Sequence, residues 1–255
     1  MNIEFNIDRT SYIPLYVQIA EHLREYLDSK DAHPGDQLPG ESEFCRIFDV
    51  SRTVIRQALD ELERDGLIIK KKGKGTFVAE PKLEETWFQK LTGFHQHYAS
   101  RGYKLHSTVL QQDMISATLK IAQRLNVRED DEIVVIKRLR FVNDEPIAIA
   151  TTYTPFKLFP KLLDADLSNQ SMYGFLRSEY DIEIARGIRA FEAVLANKVE
   201  AEMLNVEEGA AMLLLDSVSY LVDGTPFEYY KALHRGDRSR FELEVSRETV
   251  TASHW

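Results

Sequence analysis

The chain has one cysteine, Cys45, among 255 residues. That excludes an internal disulfide and a cysteine-built metal cluster. No run of about 18 apolar residues exists, so no segment reads as a membrane helix. The first residues, "MNIEFNIDRTSYIPLY", carry acids and no apolar stretch. No secretory signal is therefore expected, and the sequence reads as cytoplasmic. Cations are also in short supply: 32 Lys and Arg against 41 Asp and Glu give a formal net charge of -9. An acidic total disfavours nucleic-acid binding on average, but the placement of the cations decides it. With 44% hydrophobic and 29% charged residues, the chain is globular rather than disordered, and long enough for one large or two ordinary domains.

Periodicity divides it. A first helix is expected from about Pro14 to Ser29, with proline at its start and Leu15, Ile19, Leu23 and Leu27 along one side. "AHPGDQLPG" stops it. A second helix fits Glu41 to Phe48, burying Phe44, Ile47 and Phe48. After the turn "DVS", Ser51 can cap a third helix by accepting from free N–H groups of its first turn. Val54, Ile55, Ala58, Leu59 and Leu62 supply its buried side, and Gly66 ends it. "LIIKKKGKGTFV" reads as two short strands around a Lys/Gly tip. Helix, helix-turn-helix and hairpin in this order describe a winged helix-turn-helix over residues 1–79, followed by a polar linker over 80–88 and a second domain over 89–255.

Few as the cations are, they gather here. On a helical wheel Arg52 and Arg56 stand one turn apart beside Thr53, opposite the apolar side. Asp60 and Glu63 follow on the arginine side, so only the N-terminal half of the helix suits close approach to a duplex. Arginine matches the paired acceptors of guanine. Lys70, Lys71, Lys72 and Lys74 would lie against phosphates or a minor groove, and Gly73 and Gly75 would let the wing backbone come close.

"PLYVQIAEHLREYL", "PGDQLPGESEF", "FDVSRTVIRQALDELERDGLI" and "KKGKGTFV" together resemble the N-terminal domain of GntR-type bacterial transcription regulators over nearly all of residues 9–79. The resemblance implies that Arg52 and Arg56 contact bases and phosphates, that Ser51 and Thr53 assist, and that Lys71, Lys72 and Gly73 belong to the wing. One departure is visible. The family usually has Ser-Glu-Arg after "LP", whereas this chain has Gly40, Glu41 and Ser42, so one DNA-contacting arginine is missing.

The remainder alternates strand-like runs with two helical patterns and contains an internal echo. "RLNVREDDEIVVIKRLRFVNDEPIAIATTY" resembles "MLNVEEGAAMLLLDSVSYLVDGTPFEYYKA", with Asn126 matching Asn205 and Pro146 matching Pro226. Each copy reads as helix end, strand, tight turn and returning strand, implying an α+β domain with a largely antiparallel sheet and packed helices. Arg138 and Arg140 lie two apart on one such strand and so share a face. Two adjacent guanidiniums repel unless solvated or sharing an anion, which points to phosphate or carboxylate recognition. Ser171 and Tyr173 add hydroxyls at a helix start, where free N–H groups also favour anions.

"FHQHYASRGYK", "VIKRLRFVNDEPIAIATTY", "SMYGFL" and "FEYYKALHRGDRSRFE" resemble the effector domain of the HutC subgroup, whose fold is similar to chorismate lyase. That resemblance implies a pocket for a small anionic metabolite, often a phosphosugar. Backbone amides around Gly93, Phe94 and His95 would complete the anion site, and Glu228 and His234 would face the ligand's neutral end. In phosphosugar-sensing relatives a carboxylate often stands at the position of Ala150, and a tyrosine is frequent at that of His234.

Other patterns point nowhere further. His95 and His97 form H-x-H, but in a helical context without a third ligand, so no metal is expected. "RGDR", Arg235 to Arg238, reads as a turn held by Asp237. The expected protein is a ligand-responsive DNA-binding repressor acting as a homodimer, needing no cofactor. The rival classes are an enzyme of chorismate-lyase-like fold with a DNA-binding appendage and a structural nucleoid-type binder. No nucleophile–base pair, metal cluster or P-loop pattern stands in residues 80–255 to favour an enzyme.

Overall fold

The structure, a computed structural model, describes residues 7–71, 73–87, 91 and 93–243. It divides into two compact units, Met1–Lys82 and Leu83–Trp255.

The first unit contains α1 (Leu15–Leu27), α2 (Glu41–Phe48), α3 (Arg52–Arg64), β1 (Ile68–Lys71) and β2 (Gly75–Val78). Their apolar stripes meet in one core of Ile19, Leu23, Phe44, Ile55, Leu59 and Leu62, with Ile68 from the hairpin. Ser51 caps α3, its Oγ accepting from the Val54 N–H at 3.4 Å. β1 and β2 pair antiparallel, and Gln37 bridges to Phe77 on the far side of β2. That approach requires Gly75, where φ is +116° and a Cβ would stand 2.8 Å from Gln37 Nε2. Two expected core residues differ. Ile47 is 41% exposed, and Val54 only edges the core. Helix α2 is short and buries Phe44 and Phe48, leaving Ile47 on its outer flank.

The second unit contains β3 (Leu83–Glu85), α4 (Phe94–Ala99), β4 (Leu105–Ser116), α5 (Leu119–Leu125), β5 (Glu132–Val142), β6 (Glu145–Pro155), a 3-10 turn (Pro160–Leu163), α6 (Met172–Tyr180), β7 (Ile184–Leu195), α7 (Lys198–Leu204), β8 (Ala211–Leu221), β9 (Pro226–Arg235) and β10 (Ser239–Phe241). Six strands form one antiparallel sheet in the order β4-β5-β6-β9-β8-β7. The order is a palindrome of two three-stranded meanders, joined where β6 pairs with β9.

The echo in the sequence is therefore a structural repeat, and its details coincide. Helices α5 and α7 both end on asparagine in the left-handed region, Asn126 at φ 50° and Asn205 at φ 54°. The ladder between β5 and β6 shifts between Arg140 and Phe141, and that between β8 and β9 between Ser219 and Tyr220. Each shift leaves one fully buried bulged residue, Ile147 or Phe227. The β5–β6 turn uses Asn143 and Asp144, both at positive φ, as a two-residue hairpin of this twist demands.

The expected linker over 80–88 needs correction. Leu83–Glu85 is a strand of the second unit, paired parallel to β10, and Leu83, Glu85 and Trp87 are buried. The polar composition of "AEPKLEETW" concealed this, because the acid Glu85 is itself buried against partners distant in sequence.

Candidate functional site

In the first unit, Arg52, Thr53 and Arg56 are exposed along the N-terminal half of α3. The preceding helix aims the arginines. Arg52 Nη2 donates to Ser42 Oγ at 3.0 Å, and Arg56 Nε stands 3.6 Å from Glu41 Oε1. Ser42, which occupies the place of the family's usual arginine, thus supports Arg52 instead. Ser51 is exposed with its hydroxyl oxygen engaged in the cap. On the wing, Lys71 lies over the Phe77 ring at 4.9 Å from its centroid, and Gly73 turns the tip at φ +71° with open space around it. Lys72 lies outside the described residues.

Lys70 differs from expectation. Its ammonium is bound by Asp60 and stands 2.9 Å from Glu63 Oε2, so it is turned toward α3 rather than out along the wing. Burial works against its charge, yet the two carboxylates hold its pKa above the ordinary lysine value. The same contacts offset part of the charge of the two acids on the arginine side of the helix.

In the second unit, a cavity opens on the sheet face opposite α5 and α7, enclosing about 610 Å³ including its mouth. Gly93, Phe94, His95, Arg138, Arg140, Ser171, Tyr173 and Glu228 all line it. The strand register explains the space. Arg138 stands opposite Ala150 and Arg140 opposite Ala148, so two long side chains face two of the smallest. In the second copy of the repeat, the equivalents of the arginines are Ser217 and Ser219, facing Tyr230 and Glu228. Duplication has thus produced an asymmetric pocket: one half is cationic over a floor of alanines, the other hydroxyl-lined and carboxylate-bearing.

The electrostatics are unusual for an interior. Arg138 and Arg140 are 4% and 8% exposed, and neither makes an ion pair among the described residues. The Nε of each has no hydrogen-bond partner. Arg140 lies over the Phe94 ring at 4.8 Å. Burial, then the neighbouring Arg140, push the Arg138 guanidinium down to about 9. Burial and the same two arginines also lower the pKa of His95, favouring the neutral ring. Across the cavity, Tyr173 and Ser219 both donate to Glu228, the latter at 3.1 Å. Burial raises the Glu228 pKa, against the pull of those donors and of Arg189. Ser171 caps α6 by accepting from the Gly174 N–H at 3.2 Å, which brings the helix's first turn to the cavity wall. Gly93, at φ +77°, lies so close to Tyr173 that a Cβ would sit 3.2 Å from its ring. Such a set, with two unpaired buried guanidiniums beside a helix start, can hold a phosphate or carboxylate and orient a polar remainder toward Glu228.

His234 is the exception among the expected pocket residues. It does not line the cavity; it is fully buried behind it, with Nδ1 3.4 Å from Glu85 Oε1 and its ring against Trp87. Trp87, Arg189, Ser217 and Tyr230 do line it and were not foreseen. Alignment of the repeat could have found Ser217, since it matches Arg138. Nothing in the spacing of β7 announces Arg189, which reaches Ser217 Oγ at 3.3 Å and the Trp87 ring at 5.6 Å. His97 contacts the Glu84 carbonyl at 2.9 Å, and no group of three potential metal ligands occurs among the described residues. The "RGDR" turn is closed as expected, Arg235 donating to both oxygens of Asp237 at 3.1 and 2.7 Å. No helix among the described residues is long and apolar enough to cross a membrane.

Comparison with known proteins assigns a family to each unit. Residues 15–78 match the family model of bacterial regulatory proteins, gntR family, and residues 100–240 match the UTRA domain. The chain is 36% identical over 242 residues to the HTH-type transcriptional repressor NagR of Bacillus subtilis, covering 95% of this chain and 99% of that one. It is 33% identical to the mannosyl-D-glycerate transport/metabolism system repressor MngR of Escherichia coli, covering 92% and 98%. Among solved structures it is similar to PhnF from Mycobacterium smegmatis, with a TM-score of 0.63, 26% identity, and coverage of 89% and 99%. A winged domain that presents two arginines, followed by a duplicated sheet with an arginine pocket, places this chain in the GntR family of transcription regulators, as a HutC-type member with a UTRA domain and not as an enzyme.

Proposed function

We propose that the chain is a homodimeric repressor that leaves its operator when a small anionic metabolite, of phosphosugar or sugar-acid type, fills the arginine pocket. One observation carries the reading: Arg138 and Arg140 are buried on one strand face with no ion-pair partner among the described residues, Glu228 acting on them only from beyond contact distance. Removing two cations from water with so little compensation is costly, and an anion would supply more. The name of MngR, a repressor of a mannosyl-D-glycerate transport/metabolism system, supports a sugar-derived ligand. Ser51, Arg52, Thr53, Arg56, Lys71, Lys72 and Gly73 would face DNA. A single winged domain makes few contacts, and a two-fold dimer on a palindromic site would double them.

The test is calorimetric titration with inorganic phosphate, glucosamine 6-phosphate, glucose 6-phosphate and mannosyl-D-glycerate, with sedimentation to fix the oligomeric state. Fluorescence anisotropy on the duplex that the protein enriches from a random library then gives the linked change in DNA affinity. Binding of none of these anions, or binding that leaves DNA affinity unchanged, refutes the reading.

A further inference from the structure

We propose that Glu85 and Trp87 couple the arginine pocket to β3, the first element of the second unit, and so carry the anion's effect toward the DNA-reading unit. The inference deepens the pocket reading above and rests on it.

Strand β3 is only three residues long and belongs to a two-stranded parallel ribbon outside the main sheet. So small a ribbon is not stable by itself. Its position depends on ties to neighbouring elements, and several of them lead to the walls of the pocket or directly behind it. The Leu83 N–H donates to the Arg238 carbonyl at 2.6 Å. The Glu84 carbonyl meets His97 Nε2 at 2.9 Å and Arg101 Nη1 at 3.2 Å, both from the α4 segment whose first residues line the cavity. Glu85 is fully buried; its carboxylate accepts from Trp87 Nε1 and from Ser239 Oγ, the latter at 3.1 Å, and faces His234 at 3.4 Å.

Trp87 is a wall with two sides. Toward Glu85 it supplies its N–H and lies against the His234 ring, centroids 6.2 Å apart. Toward the pocket it stands edge-on to Tyr230 at 6.3 Å, with the Arg189 guanidinium 5.6 Å from its ring. Arg140 in turn lies 5.7 Å from the Tyr230 ring. An anion drawing on Arg140 or Arg189 therefore changes what packs on Trp87, and Trp87 is hydrogen-bonded to the last residue of β3.

The arrangement also has somewhere to go. Arg138 Nε, Arg140 Nε, Tyr230 Oη and His234 Nε2 are buried polar atoms without a hydrogen-bond partner among the described residues. They lie in the pocket or directly behind it. Buried polar groups left open in this way leave room for a ligand to change the local hydrogen bonding. Two packings of Trp87 and Glu85, biased by the anion, are the bistable element that coupling between sites requires.

Glu85→Gln and Ser239→Ala in the full-length protein test this, because neither residue lines the pocket. Three quantities are read: the calorimetric Kd for glucosamine 6-phosphate and inorganic phosphate, the DNA affinity with and without each, and hydrogen exchange of residues 83–85. In the wild type the anion should alter exchange in β3 and weaken DNA binding about tenfold or more. In Glu85→Gln, anion and anion-free DNA affinities should stay within about threefold, while the anion's effect on DNA shrinks to about threefold or less. Ser239→Ala, which removes one hydrogen bond, should give a smaller loss of the same kind and decides the matter if Glu85→Gln fails to fold. A full anion response in the folded variants, or β3 exchange indifferent to the anion in the wild type, overturns the relay alone. A wild type that binds no anion overturns the pocket reading as well.

Discussion

Lys70, on the strand that leads into the wing, places its ammonium 2.9 Å from the carboxylate of Glu63 on α3, with Asp60 as its second partner. The pairs are partly exposed and contribute little to stability. Their expected effect is on DNA binding, because they offset part of the negative charge on the side of the helix that presents Arg52 and Arg56. Lys70→Ala should weaken DNA binding several-fold, and Lys70→Ala combined with Asp60→Asn and Glu63→Gln should recover most of it. A direct Lys70–phosphate contact predicts no recovery, and anisotropy titrations at fixed salt distinguish the two.

Arg52→Ala and Arg56→Ala should each cost about 1–3 kcal/mol of specific DNA affinity and leave anion binding in the other unit unchanged. Arg52 is aimed by Ser42. Ser42→Ala should therefore lower specificity more than it lowers affinity for random duplex, and competition binding against the two duplexes measures the ratio.

Arg138 gives a prediction with a definite sign. Its pKa is pushed down to about 9 by burial and by Arg140, whereas the unfolded chain keeps that proton to much higher pH. Below about 9 the folded state therefore carries the full cost of a buried cation, and stability rises with pH above it. Arg138→Gln should melt a few degrees higher than the wild type without anion, and should lose the rise in Tm that phosphate or a phosphosugar produces. Scanning calorimetry with and without phosphate checks both, and a lower Tm for Arg138→Gln counts against an uncompensated cation.

Gly93 at φ +77° packs its Cα against the ring of Tyr173. Gly93→Ala should cost on the order of 1 kcal/mol through backbone strain and raise the anion Kd about tenfold by displacing that ring. Unfolding in urea and calorimetric titration measure the two separately, and an unchanged Kd would remove Gly93 from the pocket's critical geometry.

Much of this was written locally. The helical period, the Ser51 cap, the glycines of the wing and the repeat around Asn126 and Asn205 all act over a few residues, and the structure follows them. Alternation placed Arg138 and Arg140 on one face because a strand has period 2. It could not say what stands opposite. That Ala148 and Ala150 leave room beside the arginines follows from the pairing of β5 with β6, and that His234 is sealed behind Glu85 and Trp87 follows from packing between β9 and a strand far earlier in the chain.

The sequence by itself therefore determined the elements, the duplication, the exposed arginines at the start of α3 and the pair of guanidiniums on one strand face. Tertiary structure alone decided that Lys70 pairs with Asp60 and Glu63 of α3, that Arg189 and Trp87 join the pocket, that His234 does not, and that the expected linker begins the second unit with a buried strand. The physical reason is range. Propensity, capping and periodicity depend on neighbours along the chain, whereas burial and charge pairing depend on whichever distant strand the sheet order brings alongside.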